Sequence, residues 1–285
     1  MNLSDNLVFP TALIVLLAFC LALVCGCTGN APAAGDTEEE KAAEALQSLK
    51  SGVFASLSDT LALAESTSKE LKSTEHDQTQ VYSILDESQK TYTWIESVAF
   101  IRPDGTVAGI KPNTYGDLVG VDLSYQDIVA EALAARSPIM SDYTLLELDE
   151  KGTLIEYPVF LEDDEFAGIV SVVIDPAGLI EPYAKEIKSG YGYSVMAAQP
   201  DGLILYDDDP AEIGNETFGN PMYENYPDII ELAKAYSSQP EGTYSYTFRD
   251  TGFENEVMKE VVWDTAGLLG KEWRLFIIRE ILPEM

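Results

Sequence analysis

A nine-residue pattern occurs twice in this chain, and it constrains the fold more than any other feature. Ser97-Val98-Ala99-Phe100-Ile101-Arg102-Pro103-Asp104-Gly105 is paralleled by Ser194-Val195-Met196-Ala197-Ala198-Gln199-Pro200-Asp201-Gly202, with Asp201 lying 97 residues after Asp104. Each copy is a short apolar run that ends in Pro-Asp-Gly, the signature of a strand entering a tight turn. The parallel continues in order. Leu118-Val119-Gly120 matches Glu212-Ile213-Gly214, and Phe166-Ala167-Gly168 with its following apolar run matches Leu268-Leu269-Gly270 and Trp273 to Ile278. Repetition at a fixed period predicts two copies of one supersecondary unit. Each reads strand, turn, strand, helix and three further strands. That gives an α+β fold in which each copy is a five-stranded, mostly antiparallel sheet with helices on one face. A chain of 285 residues has room for two such units.

Ahead of the repeat the period changes. Leu46, Leu49, Val53, Leu57, Leu61, Ala64 and Leu71 recur at three- and four-residue steps among polar residues. This predicts a long amphipathic helix from Lys41 to about Glu75. A second helical stretch carries Val81, Ile84, Leu85, Ser88, Tyr92 and Ile95 on one side. Residues 41–95 are therefore expected to form a helical bundle or stalk, with a dimerising helix as the other reading. Residues 28–40 read as a flexible tether.

Residues 8–26 are apolar throughout and are followed by Cys27 and an acidic tract. Val24-Cys25-Gly26-Cys27 resembles a lipobox, which makes residues 1–27 an export signal and Cys27 the lipidated residue. A plain membrane anchor of about 19 residues and an ordinary cleaved signal remain open. Met1 to Asn6 carries no Lys or Arg, unlike most export leaders. All three readings place the body outside the cytoplasm. No other run approaches the length of a membrane span, so neither a second membrane helix nor a cytoplasmic output domain is expected.

Composition narrows the function. There are 49 acidic residues against 17 Lys and Arg, a formal charge of −32. Such a surface repels phosphate backbones and anionic lipid heads, so nucleic acid is excluded as a partner. Hydrophobic residues at 46% suffice for packed cores. The cysteines are Cys20, Cys25 and Cys27, and the single histidine is His76. The body thus has no disulfide, no cysteine nucleophile and too few histidines for a Ser-His-Asp triad or a histidine zinc site. No phosphate loop, nucleophile elbow or dinucleotide fingerprint occurs, so neither an enzyme nor a cofactor is expected. Asp207-Asp208-Asp209 lacks the alternating spacing of a calcium loop and reads as a solvated turn. Trp263 and Trp273 read as core aromatics of the second copy.

A long helix followed by two such sheets in an exported chain resembles the double Cache domain, the PAS-like extracytoplasmic sensor module of chemoreceptors and sensor kinases. The residues that carry the resemblance are Phe100 to Gly105, Gly120-Val121-Asp122-Leu123-Ser124, Tyr157-Pro158-Val159-Phe160, Phe166 to Asp175 and Asp201 to Tyr206. It covers roughly residues 41–280. The resemblance implies a membrane-distal Cache subdomain at 96–188, a membrane-proximal one at 189–285, and small-molecule binding in the distal copy. The pocket would lie between the sheet and the segment from Val121 to Tyr143. Asp175 falls where many amine- and amino-acid-binding members place a carboxylate for the ligand's ammonium, and it also reads as the cap of a helix beginning at Pro176. Where the amino-acid-binding members carry an Arg and a Trp-Tyr pair, this chain has Gln126, Ile128 and Val129.

Tyr125, Gln126, Asp127, Tyr143 and Tyr157 are the remaining candidates for a mixed polar and aromatic pocket. Tyr125, Asp127, Tyr143, Tyr157 and Asp175 are taken as the ligand-binding set. The only arginines of the distal copy, Arg102 and Arg136, sit beside a turn and a helix end. An amine-like or neutral ligand is therefore expected. The sequence reads as a lipid-anchored sensor that presents its state to a separate membrane receptor or transporter. The alternatives are a substrate-capture lipoprotein of an importer and a structural surface protein without a ligand.

Overall fold

The computed structural model describes residues 37–73, 77–147, 151–249 and 255–281. The export signal, Cys27, His76 and most of the expected tether lie outside the described residues. The long helix α1 runs Glu38–Lys72. Its start falls three residues inside the expected tether, for a local reason. Thr37 and Glu40 form a reciprocal capping box, and Glu38, Glu39 and Glu40 place negative charge on the positive end of the helix dipole. Lys69 and Lys72 complement the other end. At 1.5 Å per residue α1 is about 50 Å long.

α1 is not a projecting stalk. Leu49, Val53, Leu57, Ala64 and Leu71 are fully buried, and the helix packs across both sheets of the same chain. Buried polar groups on this face find partners: Ser56 bonds Tyr183 Oη at 2.8 Å, Ser68 donates to Pro158 O at 2.7 Å, and Trp94 Nε1 donates to Thr60 at 3.1 Å. Gly52 permits the close approach to Tyr183, whose ring lies 2.3 Å from where a β-carbon would stand. α2 spans Gln78–Gln89, shorter than expected, because Ile95 already belongs to the first strand.

The first sheet contains β1 (Ile95–Ile101), β2 (Val107–Lys111), β3 (Ile139–Met140), β4 (Thr144–Leu145), β5 (Lys151–Phe160) and β6 (Phe166–Ile174), with α3 (Asp127–Ala135) between β2 and β3. Its order is β2-β1-β6-β5-β3, with β4 also on β5. α4 (Pro176–Tyr191) leads into the second sheet, running past the boundary expected at 188. That sheet contains β7 (Ser194–Ala198), β8 (Ile204–Asp207), β9 (Gly242–Arg249), β10 (Glu256–Leu268) and β11 (Lys271–Ile281), with α5 (Pro227–Ser238) between β8 and β9. Its order is β8-β7-β11-β10-β9. All the named pairings are antiparallel, and the two sheets share one strand order.

The repeat extends to individual hydrogen bonds. Asp104 accepts from Thr106 N at 2.9 Å and Asp201 from Leu203 N at 3.1 Å. Gly105 and Gly202 take φ of 87° and 99°, a region that L side chains rarely adopt. Gly120 N donates to Val107 O at 2.9 Å, as Gly214 N does to Ile204 O at 2.8 Å.

Helices cover both faces of each sheet rather than one. α1, α2 and α4 share a single apolar core with the back faces of both sheets. α3 closes a second, aliphatic core on the front of the first sheet, and α5 closes an aromatic one on the front of the second. Trp263 and Trp273 are buried, the first under α5 and the second in the shared core. The copies also meet through Lys271 and Asp142 at 2.7 Å, and Gln199 Oε1 accepts from Tyr143 N.

Candidate ligand-binding site

Strand alternation on the first sheet turns Ala99, Ile101, Ser171 and Val173 to the front, opposite the face that packs on α1. Above them lie Tyr115 and Leu118 of the 3-10 turn Asn113–Leu118, then Leu123, then Gln126 at the N-cap of α3 and Val129 within it. A cavity of about 60 Å³ lies between the two layers. At about 10–15 Å³ for each water-sized occupant, it has room for about five waters. Its walls are mainly apolar. Polar groups sit at Gln126 in the cover, Ser97 and Ser171 in the floor, and Glu96, Glu147 and Lys151 toward the rim. This is the composition of a small-molecule site, with carbon surface for affinity and a few placed polar groups for orientation.

The structure places the five expected ligand residues outside this lining. Tyr125 is 63% exposed, and Asp127 is exposed in the first turn of α3. Tyr157 alternates to the back face and packs toward α1. Tyr143 is half-buried, its hydroxyl held above its ordinary pKa by burial first and then by the charges of Asp175 and Glu96. Tyr143 packs on the shared core behind the sheet, not in the lining. Asp175 is the cap of α4: its oxygens accept from Ala177 N at 3.0 Å and Gly178 N at 2.9 Å. Gln126, weighed with them, does line the cavity.

Beside the cavity floor is a buried acid. Glu156 is fully buried across from Ser171, which donates to its Oε1 at 2.8 Å, and its Oε2 has no partner. Burial pushes its pKa up to about 8, and the Ser171 hydrogen bond opposes the shift.

The second sheet carries a larger cavity, about 130 Å³, in the equivalent place beneath α5. Met196, Tyr246, Lys259 and Ile278 of the sheet line it, with Leu232 and Tyr236 of α5 above. Asp207, Asp208, Asp209 and Glu212 also line it. Asp207 is half-buried rather than solvated, and burial raises its pKa to about 7, with Glu212 and Asp208 adding to the shift. Tyr223 Oη donates to Glu212 Oε2, and both side chains are buried.

Residues 52–176 match the family model described as HK/GC/chemotaxis protein-like, sensor domain. An extracellular ligand-binding receptor from Desulfohalobium retbaense aligns with TM-score 0.64 and 21% identity over 84% of this chain and 39% of that receptor. The ligand-binding domain of the Pseudomonas aeruginosa amino acid chemoreceptor PctC, in complex with GABA, aligns with TM-score 0.56 and 17% identity over 83% of this chain and 96% of that domain. That of the Pseudomonas fluorescens chemoreceptor CtaA, in complex with L-isoleucine, gives 0.55 and 14% over 83% and 90%. The fold is that of a double Cache domain. No curated protein matches the sequence.

Within this double Cache fold, sequence reasoning missed Tyr115, Glu96 and Lys151 in the first cavity, and missed the second cavity entirely. Strand alternation offered one usable signal. Ser97, in step with Ala99 and Ile101, interrupts an otherwise apolar front face of β1 that should be sealed. Tyr115 carries no such signal, since its place depends on how the 3-10 turn folds back over the sheet. Among the described residues, no helix is long and apolar enough to cross a membrane.

Proposed function

We propose that this chain is an extracytoplasmic sensor that binds a small amine-like or neutral molecule in the cavity of its first sheet and passes its state to a separate membrane partner. The observation that carries this reading is the cavity itself. It is covered by Gln126, the N-cap of α3, and by Val129, has largely apolar walls, and lies in a double Cache fold. Gln126 offers an amide NH2 as donor and a carbonyl oxygen as acceptor, and the two rim carboxylates, Glu96 and Glu147, outnumber the one ammonium, Lys151, which favours a positive end over a carboxylate. Chemoreceptor domains of the same fold hold GABA and L-isoleucine, which supports a ligand of this size.

The described chain enters beside the second sheet, where Tyr193 Oη donates to Glu38 at 3.0 Å. By the resemblance to double Cache domains, the second copy would be the membrane-proximal one and the first would face solutes. α1 touches both sheets and is the physical link through which occupancy of the first could reach the second. We assign Tyr125, Asp127, Tyr143, Tyr157 and Asp175 no direct contact with the ligand.

A thermal-shift screen of amines, organic acids and amino acids on the full chain tests the reading. A ligand at 100 times its dissociation constant adds about 2.7 kcal/mol, and Gln126→Leu should remove that gain. A hit whose shift survives Gln126→Leu would place the ligand elsewhere. Silence across the screen would favour a structural surface protein. For the anchor, Cys27→Ser should release the protein from membranes or leave its precursor uncleaved. Mass spectrometry of mature protein beginning at Met1 without lipid would refute lipidation.

A further inference from the structure

The cavity under α5 belongs to the copy to which the proposed function assigns no ligand, yet it is the larger of the two and the more strongly charged. Its lining carries four carboxylates, Asp207, Asp208, Asp209 and Glu212, against one ammonium, Lys259. That ammonium is already offset by Glu280 at 3.8 Å and lies over the Phe248 ring at 5.9 Å.

Two polar side chains in this lining are more than nine-tenths buried and keep hydrogen-bonding capacity in reserve. Tyr246 is 7% exposed, and its hydroxyl makes no hydrogen bond. Glu212 is also 7% exposed; Tyr223 satisfies its Oε2, and its Oε1 accepts none. Neither oxygen is among the sealed, partnerless side-chain atoms of the described residues, so both open onto the cavity, where an occupant can pair with them. Tyr246 and Lys259 are cross-strand neighbours on β9 and β10, so the hydroxyl is held on the cavity floor by the ladder itself.

We propose that this second cavity binds a small organic cation, with its ammonium or guanidinium donating to Glu212 and Asp207 and its carbon portion lying against Tyr246 and Phe248. The charge imbalance selects a cation over an anion. The aromatic rings add cation–π attraction, which a compact, hydrated metal ion uses poorly. Among the described residues, no three acidic, His or Cys side chains converge as metal ligands. That separates an organic cation from calcium or magnesium.

The test is isothermal titration of the full chain with putrescine, ethanolamine and tetramethylammonium, and with 1-butanol and butyrate as neutral and anionic counterparts. At least one of the three cations should bind, and both counterparts should bind at least tenfold more weakly. Glu212→Gln and Tyr246→Phe, which keep size and packing, should each weaken that cation at least tenfold, while Gln126→Leu in the first cavity leaves it unchanged. Butyrate or butanol binding as well as the cations would overturn the proposal, as would no binding by any cation to a chain that melts cooperatively. Loss of cation binding in Gln126→Leu but not in Glu212→Gln would move the cation to the first cavity. That outcome overturns this inference and leaves the first-copy reading intact.

Discussion

The two copies share strand order, turn chemistry and the glycines that close both loops, yet their front cores have different chemistry. The first is aliphatic, built on Ala99, Ile101, Val107, Ile110 and Ile169 under α3. The second is aromatic, built on Tyr236, Tyr246, Trp263 and Phe276 under α5. The first cavity is small and mainly apolar, with two carboxylates and one ammonium in its lining. The second is about twice the volume, with four carboxylates and one ammonium. Topology is set by turns and by the period of the strands. Site chemistry is set by the few side chains that alternate inward beneath the covering helix. Duplication preserves the first and leaves the second free to diverge, which is why one fold can carry two unlike cavities.

The largest expected effect tests the contrast between the two cores. Trp263 is 2% exposed, and its indole donates to Gln239 O at 3.1 Å. Trp263→Ala should cost about 3–5 kcal/mol, whereas Ile169→Val in the aliphatic core should cost about 0.5–1.5 kcal/mol. Urea denaturation measures both. Equal costs would mean that the second core does not depend on its aromatic layer.

The next effect is a pH dependence, and it sharpens the contrast through one buried acid in each copy. Glu156 has an ordinary pKa of 4.5 and a folded value of about 8. Between these values the unfolded chain has released the proton and the native chain keeps it. Stability therefore falls as pH rises through that window and levels off above it. Glu156→Gln removes this dependence and should stabilise the protein by about 2 kcal/mol at pH 9, at 1.36 kcal/mol per unit discounted for relaxation. Asp207, raised from 3.8 to about 7, adds a parallel decline over a lower window that Asp207→Asn removes. Melting temperatures across pH 4 to 9 separate the two. A Glu156→Gln protein whose stability still falls between pH 7 and 8 as in the parent would show that the carboxyl is not buried as described.

How much of this was legible beforehand follows from the same distinction. The duplication could be read because Asp104-Gly105 and Asp201-Gly202 need a special backbone conformation that few residues supply. α1 was legible from its apolar stripe, but its role was not. Periodicity says that Leu49, Val53 and Leu57 must be buried and does not say against what, so packing on both sheets of the same chain went unread. The site was the least legible part. Tyr125 and Asp127 lie next to Gln126 in sequence, yet only Gln126 turns under the cover of α3. On β5 a single step of register sends Tyr157 to the back face and Glu156 to the front. Asp207 read as a solvated turn because neighbouring aspartates look alike until a sheet edge buries one of them.

The smallest effect concerns Asp175, where the cap and ligand roles diverge. Asp175→Ala removes the side-chain acceptors of two backbone N–H groups and should cost about 1 kcal/mol, while Asp175→Asn, itself a good cap, should cost little. Calorimetry on the Asn variant should find the first-cavity ligand within twofold of its parent affinity. A tenfold loss would return Asp175 to the ligand-binding set.

The most direct measurement of the central claim is a crystal structure of the chain with the strongest ligand from the amine, acid and amino-acid screen. The account predicts ligand density between Ala99 and Ser171 of the first sheet and Gln126 at the N-cap of α3, with its polar end toward Glu96. Density confined to the second cavity or to the surface, with side chains filling the space beneath α3, would contradict it.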